Sequence, residues 1–238
     1  CQRLISVCDD MTEQYLAAGI ATPEMFTTIY SGMDVEPFLD PPRGREEVRA
    51  ELGFKDDDVV VGKVARLFEL KGHRYLLEAA SQIIAACPQT RFLLVGDGPL
   101  RDRFEAQISR DGLADHFVLT GLVPPGRIPE LIHATDLMAH TSVWEGLARV
   151  LPQSMIAGKP VVSFDIDGAP EVVIPEETGL LVKPESVDGL VEAVTRLVDD
   201  ERLRNRLGDA GCRRWTEAFR YQEMARLVRE VYQEVLAG

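Results

Sequence analysis

The chain has 238 residues, 45% of them hydrophobic and 27% charged, a composition long and apolar enough to bury a core in one domain or in one domain plus a fragment. Its formal charge of −13 excludes a broad electrostatic nucleic-acid surface, so a phosphorylated ligand needs a local basic pocket in an acidic background. No apolar run is long enough to cross a bilayer and no signal-peptide pattern is present. Cys1, Cys8, Cys87 and Cys212 have no metal-ligand spacing and read as thiols in a reducing compartment. The four histidines show no paired metal spacing either. The chain starts at Cys1, almost at once in a strand-like run, which marks it as a piece of a longer protein.

Arg3 to Val7 reads as a strand. Asp9-Asp10 are placed to cap a helix running to about Ala18, with Gly19 as its stop. Phe26 to Tyr30 is the next strand, turned by Ser31-Gly32. Arg45 to Leu52 is a short helix, and Val59 to Val64 is a near-continuous apolar run of the buried parallel-strand type. A helix from His73 to about Cys87 keeps Leu76, Leu77, Ala80, Ile83 and Ile84 at helical spacing. Strands follow at Arg91–Val95, Phe117–Leu119, Asp136–His140, Pro160–Ser163 and Gly179–Val182, and helices at about 100–109, 128–134, 187–198, 200–214 and 221–236. Between His140 and Val161 the chain turns at Glu145-Gly146 into an amphipathic helix that Gly158-Lys159-Pro160 ends.

This alternation with short loops predicts an α/β fold, a parallel sheet with helices on both faces. Ligands of such sheets bind outside the C-terminal ends of the strands. The polar loops gather there: Arg66 and Lys71, Gly96 to Pro99, Gly121 to Val123, and Glu145. Arg66 and Lys71, five apart, read either as a clamp for a diphosphate or as two solvated charges. Gly96-Asp97-Gly98-Pro99 fails as a dinucleotide fingerprint, because Arg101 stands where the third glycine belongs, and it reads equally as a tight turn. Glu145 reads as a hydroxyl acceptor or as a carboxylate answering a helix dipole. A helix starting at Glu145 puts Gln153 two turns on, on the same side, with Pro152 distorting the first turn.

Glu145 through Gln153, followed by Ala157-Gly158-Lys159-Pro160-Val161-Val162, resembles the E-x7-E region of family-four retaining glycosyltransferases, which have the GT-B fold. Gln153 replaces the second acidic residue and carries no charge, and Ala148 stands where many members have Gly or Pro. Gly62 to Leu67 with Lys71-Gly72 is similar to the family's GR…KG element, which assigns the donor pyrophosphate to Arg66 and Lys71. Gly96 and Gly98 resemble the turn lining the nucleotide side of the cleft. Val123 matches the loop that meets the base and does not choose between uridine, guanosine and adenosine. The resemblance places the transferred sugar on Glu145, the backbone N–H groups of Gly146, Leu147, Ala148 and Arg149 near sugar and phosphates, and ribose hydroxyls on Gln153. Asp167-Gly168-Ala169-Pro170-Glu171 resembles a loop that shapes the cleft, with Glu171 read as a helix cap.

The resemblance thus implies the Rossmann-like C-terminal half of a GT-B fold. Residues 1–33 are the tail of a missing N-terminal acceptor domain plus linker, 34–214 the nucleotide-sugar-binding domain, and 215–238 a helix returning towards the missing half. The implied reaction moves a sugar from a nucleoside-diphosphate sugar to an acceptor hydroxyl with retention, without metal or other cofactor. A cytoplasmic location is expected, with any contact to the inner membrane face made through the missing half. The isolated stretch is expected to bind donor weakly and not to turn over. The competing readings are a sugar-nucleotide epimerase, for which no acid/base set can be placed, and a non-catalytic nucleotide-sugar-binding module, which Gln153 favours.

Overall fold

The computed structural model describes residues 1–237; position 238, the end of the expected C-terminal segment, lies outside the described residues. Two short strands, β1 (Leu4–Ser6) and β2 (Phe26–Thr28), pair in parallel around helix α1 (Asp9–Ala17). Helices α2 (Glu36–Leu39) and α3 (Arg45–Glu51) lead into the main unit. There β3 (Val59–Val64), α4 (His73–Ala86), β4 (Thr90–Val95), α5 (Arg101–Arg110), β5 (Phe117–Gly121), α6 (Ile128–Ala134) and β6 (Leu137–His140) alternate. They are followed by α7 (Val150–Ile156), β7 (Val161–Phe164), α8 (Ala169–Val172), β8 (Gly179–Val182), α9 (Val187–Asp199), α10 (Glu201–Trp215) and α11 (Tyr221–Ala237).

The six strands from β3 to β8 form one parallel sheet in the order β5-β4-β3-β6-β7-β8. This is the Rossmann-like α/β sheet expected from the alternation. The order reverses between β3 and β6, so the crevice beyond their C-terminal ends is the topological switch point where such sheets take ligands. Helices cover both faces. Leu76, Leu77, Ala80 and Ile83 of α4 pack with Leu190, Val194 and Leu197 of α9 in one core. On the opposite side Leu151, Met155 and Ile156 of α7 pack near Trp215 and Phe219, and Val48 of α3 packs with Leu131 of α6. At the strands' N-terminal ends, away from the crevice, Asp136 receives Arg45 at 2.7 Å and Arg49 at 3.3 Å and accepts the Val60 N–H at 2.8 Å.

Two local expectations change. Asp9 and Asp10 do not cap α1: Cys8 is the N-cap residue without a side-chain bond, and the two carboxylates sit in the first turn, where the helix dipole favours them. The Asp10 N–H instead donates to Glu171 Oε1 at 2.9 Å, so Glu171 does cap a helix, and that helix is α1. The helix expected from Glu145 begins five residues later, at Val150. Pro152 is the reason. It has no N–H and clashes inside a helix, but it is tolerated in a first turn, where N–H groups lack intrahelical partners anyway. Starting at Val150 places it there, and Gly146 to Arg149 remain non-helical.

Candidate active site

A cavity of about 460 Å³ opens at the switch point. Its floor and one wall are Arg66, Lys71, Glu145 and Gly146, and Phe68, Leu70 and Trp144 extend that wall. The facing wall is α1, through Asp10, Met11, Gln14 and Tyr15. The α1 side approaches closely at Gly146. A Cβ there would stand 2.7 Å from Met11 Cε and 3.4 Å from Val7 Cγ2, so a side chain would displace the Met11 methyl group.

Arg66 and Lys71 lie on the loop that leaves β3. The Arg66 guanidinium stacks 4.3 Å above the Phe68 ring and has no carboxylate within 4 Å among the described residues, which leaves its donors open. Lys71 forms an ion pair with Glu145 Oε1. The exit of β6 is stitched to this loop by Val143 N–H to Leu70 O at 2.9 Å and Thr141 Oγ1 to Gly72 O at 2.8 Å. Those bonds put Lys71 and Glu145, 74 residues apart in sequence, side by side.

The two oxygens of Glu145 differ. Oε1 receives Lys71, the Ser142 hydroxyl at 2.9 Å, and His140 Nε2 at 3.8 Å. Oε2 has no hydrogen-bond partner among the described residues. Burial opposes the negative charge, yet the surrounding His140, Lys71 and Ser142 hold the carboxyl down at about 2. At 3.8 Å His140 is too distant for a good hydrogen bond, so Lys71 and Ser142 carry most of that effect. Asp167 accepts the Glu145 N–H and fixes its backbone. The N–H groups of Gly146, Leu147, Ala148 and Arg149 donate to no protein acceptor among the described residues.

The remaining positions singled out from the sequence lie further out. Gly96 and Gly98 pack against the Arg66 loop. Gly96 has φ 136°, and a Cβ on it would come 2.1 Å from Ala65 O, while one on Gly98 would come 2.5 Å from Leu67 O. Their glycine character therefore holds two loop backbones together. Val123 is partly buried against the core of α3 and α6, next to an exposed Leu122. Gln153 is half-buried in the first turn of α7, not two helical turns from Glu145. Sequence reading had no signal for the α1 wall, or for Ser142, His140 and Lys63. Asp167 stood out only as part of the Asp167-to-Glu171 loop expected to shape the cleft.

The family model described as glycosyl transferases group 1 matches residues 44–214. The 2-deoxystreptamine glucosyltransferase of Streptomyces kanamyceticus is 31% identical over 82% of this chain and 51% of that protein. The GDP-mannose-dependent alpha-(1-6)-phosphatidylinositol monomannoside mannosyltransferase of Mycolicibacterium smegmatis is 32% identical over 77% of this chain and 50% of that protein. The solved structure of Anabaena Alr3699/HepE in complex with UDP and glucose superposes with a TM-score of 0.89 and 28% identity, covering 98% of this chain and 63% of that one. The chain spans about half the length of these two curated relatives. No described helix is long and apolar enough to cross a membrane.

Proposed function

Because this chain belongs to the group 1 glycosyl transferases, we propose that it is the donor-binding half of a retaining enzyme that transfers a sugar from a nucleoside-diphosphate sugar to an acceptor hydroxyl. The observation carrying this reading is the meeting, at the switch point, of an unpaired guanidinium, a lysine and a carboxylate with one free oxygen, followed in the chain by the unpaired N–H groups of Gly146 to Arg149. Arg66 forks onto phosphate oxygens, Lys71 adds a point charge, and the N–H groups of Gly146 to Arg149 complete an anion cradle. Glu145, ionised at neutral pH, can only accept, so its open Oε2 takes a hydroxyl of the sugar. As the bond from the anomeric carbon to the diphosphate breaks, these cations and N–H groups stabilise the departing charge. The acceptor oxygen bonds to the same face, and its proton passes to the leaving oxygen. This route assigns no step to a metal or other cofactor.

In this reading residues 34–214 are the donor domain, 1–33 the tail of an acceptor domain with its linker, and 215–238 a segment returning to it. Support comes from the separate β1–β2 pair, from the α1 wall, and from the Arg3–Glu234 ion pair at 3.3 Å that ties α11 to the chain's start. UDP, which the Anabaena structure holds, is the first nucleotide to test, with GDP and ADP beside it. Calorimetric titration should show saturable binding of one of the three. An Arg66→Ala/Lys71→Ala double variant should lose at least about 1.5 kcal/mol, roughly tenfold in affinity. Binding that the double variant leaves unchanged would place the phosphate site elsewhere.

A further inference from the structure

Lys63, next to the C-terminal end of the otherwise apolar strand β3, is among the largest fully buried side chains of the described residues, 1% exposed. Lysine is almost never buried so deeply unless paired with an acid, and Lys63 has no carboxylate within 4 Å among the described residues. Its Nζ donates to Thr141 Oγ1 at 2.9 Å, and that hydroxyl donates on to Gly72 O at 2.8 Å. An ammonium group has three N–H bonds to place, and here one acceptor, a neutral hydroxyl, meets it. The chain of two bonds joins the strand beneath the site to the loop that carries Lys71.

The charged and titratable groups facing Lys63 are Glu145 and His140 from the β6 side, Lys71 from the β3–α4 loop, and His73 from the start of α4. Only Glu145 is acidic, and Lys71 already pairs with it. With these neighbours alone the balance favours an uncharged amine, and burial pushes the Lys63 amine down to about 7. A diphosphate arriving at Arg66 and Lys71 reverses that balance. We propose that Lys63 is a positioning residue that takes up a proton from solvent as the donor diphosphate binds, coupling donor binding to a charge beneath the Lys71–Glu145 pair. The amine lone pair gains one proton and no other bond changes. This inference rests on the donor-site reading above.

The test uses the full-length protein and UDP, titrated calorimetrically at pH 8 in buffers of different ionisation enthalpy, where the nucleotide is already fully ionised. The observed heat should shift with the buffer by an amount corresponding to uptake of roughly half a proton or more. Affinity should fall as pH rises from 7 to 9, by up to about tenfold per unit. Burial holds His73 and His140 below the ordinary imidazole range, so they contribute no uptake in that window. Lys63→Met should abolish the buffer dependence and flatten the pH profile. A buffer-independent heat in the wild-type protein overturns the proposal even if the variant fails to fold, and so does uptake that persists in Lys63→Met. If that variant does not fold, a wild-type affinity that is flat between pH 7 and 9 overturns the proposal, and the predicted fall supports it. Absence of saturable heat with UDP, GDP and ADP alike would instead overturn the donor-site reading, and the proposal with it.

Discussion

One oxygen of Glu145 is occupied by the protein and the other is open, so the residue's two duties separate on substitution. Glu145→Gln keeps the shape, removes the charge that holds Lys71, and weakens the bond to a sugar hydroxyl. In the full-length enzyme, transfer should fall by about 100-fold, while affinity for UDP alone holds or tightens because Lys71 is released. Measuring kcat beside the UDP Kd checks both halves; equal losses in the two would mean that Glu145 serves the phosphates. The same carboxyl makes stability depend on pH. Its folded pKa, about 2, lies below the ordinary carboxylate value, so its contribution is fully present above about pH 4.5 and is lost as pH falls towards 2. Denaturant titrations at pH 6 and pH 3 should show a wild-type advantage over Glu145→Gln of about 2 kcal/mol after solvent screening, shrinking at the lower pH. Lys63 carries a cost where Glu145 carries a gain. Its folded pKa is lowered from 10.5 to about 7, so the cost of burying its charge is full below pH 7 and is relieved as pH rises towards 10.5. Lys63→Met should therefore raise Tm at pH 7, with a smaller gain at pH 10.

At the scale of elements, the strands announce themselves because a parallel sheet is covered on both faces, so runs such as Val59 to Val64 are apolar at all positions but Lys63. The loop residues Arg66, Lys71 and Glu145 stand out because their chemistry is rare at the C-terminal ends of such strands. The start of α7 was misread because the apolar spacing of Leu147 to Met155 suits a helix from Glu145. Pro152 held the correcting information, since a proline seven residues into a helix is far costlier than one in its first turn. Nothing in the sequence marks Lys63, and only the surrounding burial reveals it. The α1 wall could not be read, because Met11 meets Gly146 across 135 positions of sequence and nothing local encodes that meeting. The contact between the Gly96 turn and the Arg66 loop is testable in isolation. Gly96→Ala combines φ 136° with a Cβ 2.1 Å from Ala65 O. It should destabilise the fold by about 2 kcal/mol or more, read by denaturant unfolding, and weaken nucleotide binding with it.

On the scale of the whole molecule, the six-stranded unit and the β1–β2 pair meet through α1, by the Asp10–Glu171 bond, and through the segment where the chain's two ends come together. Met33 donates its N–H to Phe219 O at 2.8 Å and accepts the Tyr221 N–H at 3.0 Å, and among the described residues of α11 only Val231 is buried. Deleting residues 221–238 should leave the unfolding midpoint of the main sheet almost unchanged while hydrogen exchange at Leu4–Ser6 accelerates. Equal loss in both regions would show that the two parts melt as one. The strand order has a further consequence, and it concerns timing during synthesis. The central neighbours β3 and β6 are not made one after the other: β4 and β5 are added to one edge before the chain returns to the other side of β3. A growing chain that has reached Gly121 already carries Arg66 and Lys71 but has yet to make Glu145. On the proposed donor-site reading, nucleotide can meet at most half of its site until β6 is released from the ribosome, so donor binding would stabilise the finished domain and do nothing to guide its first half.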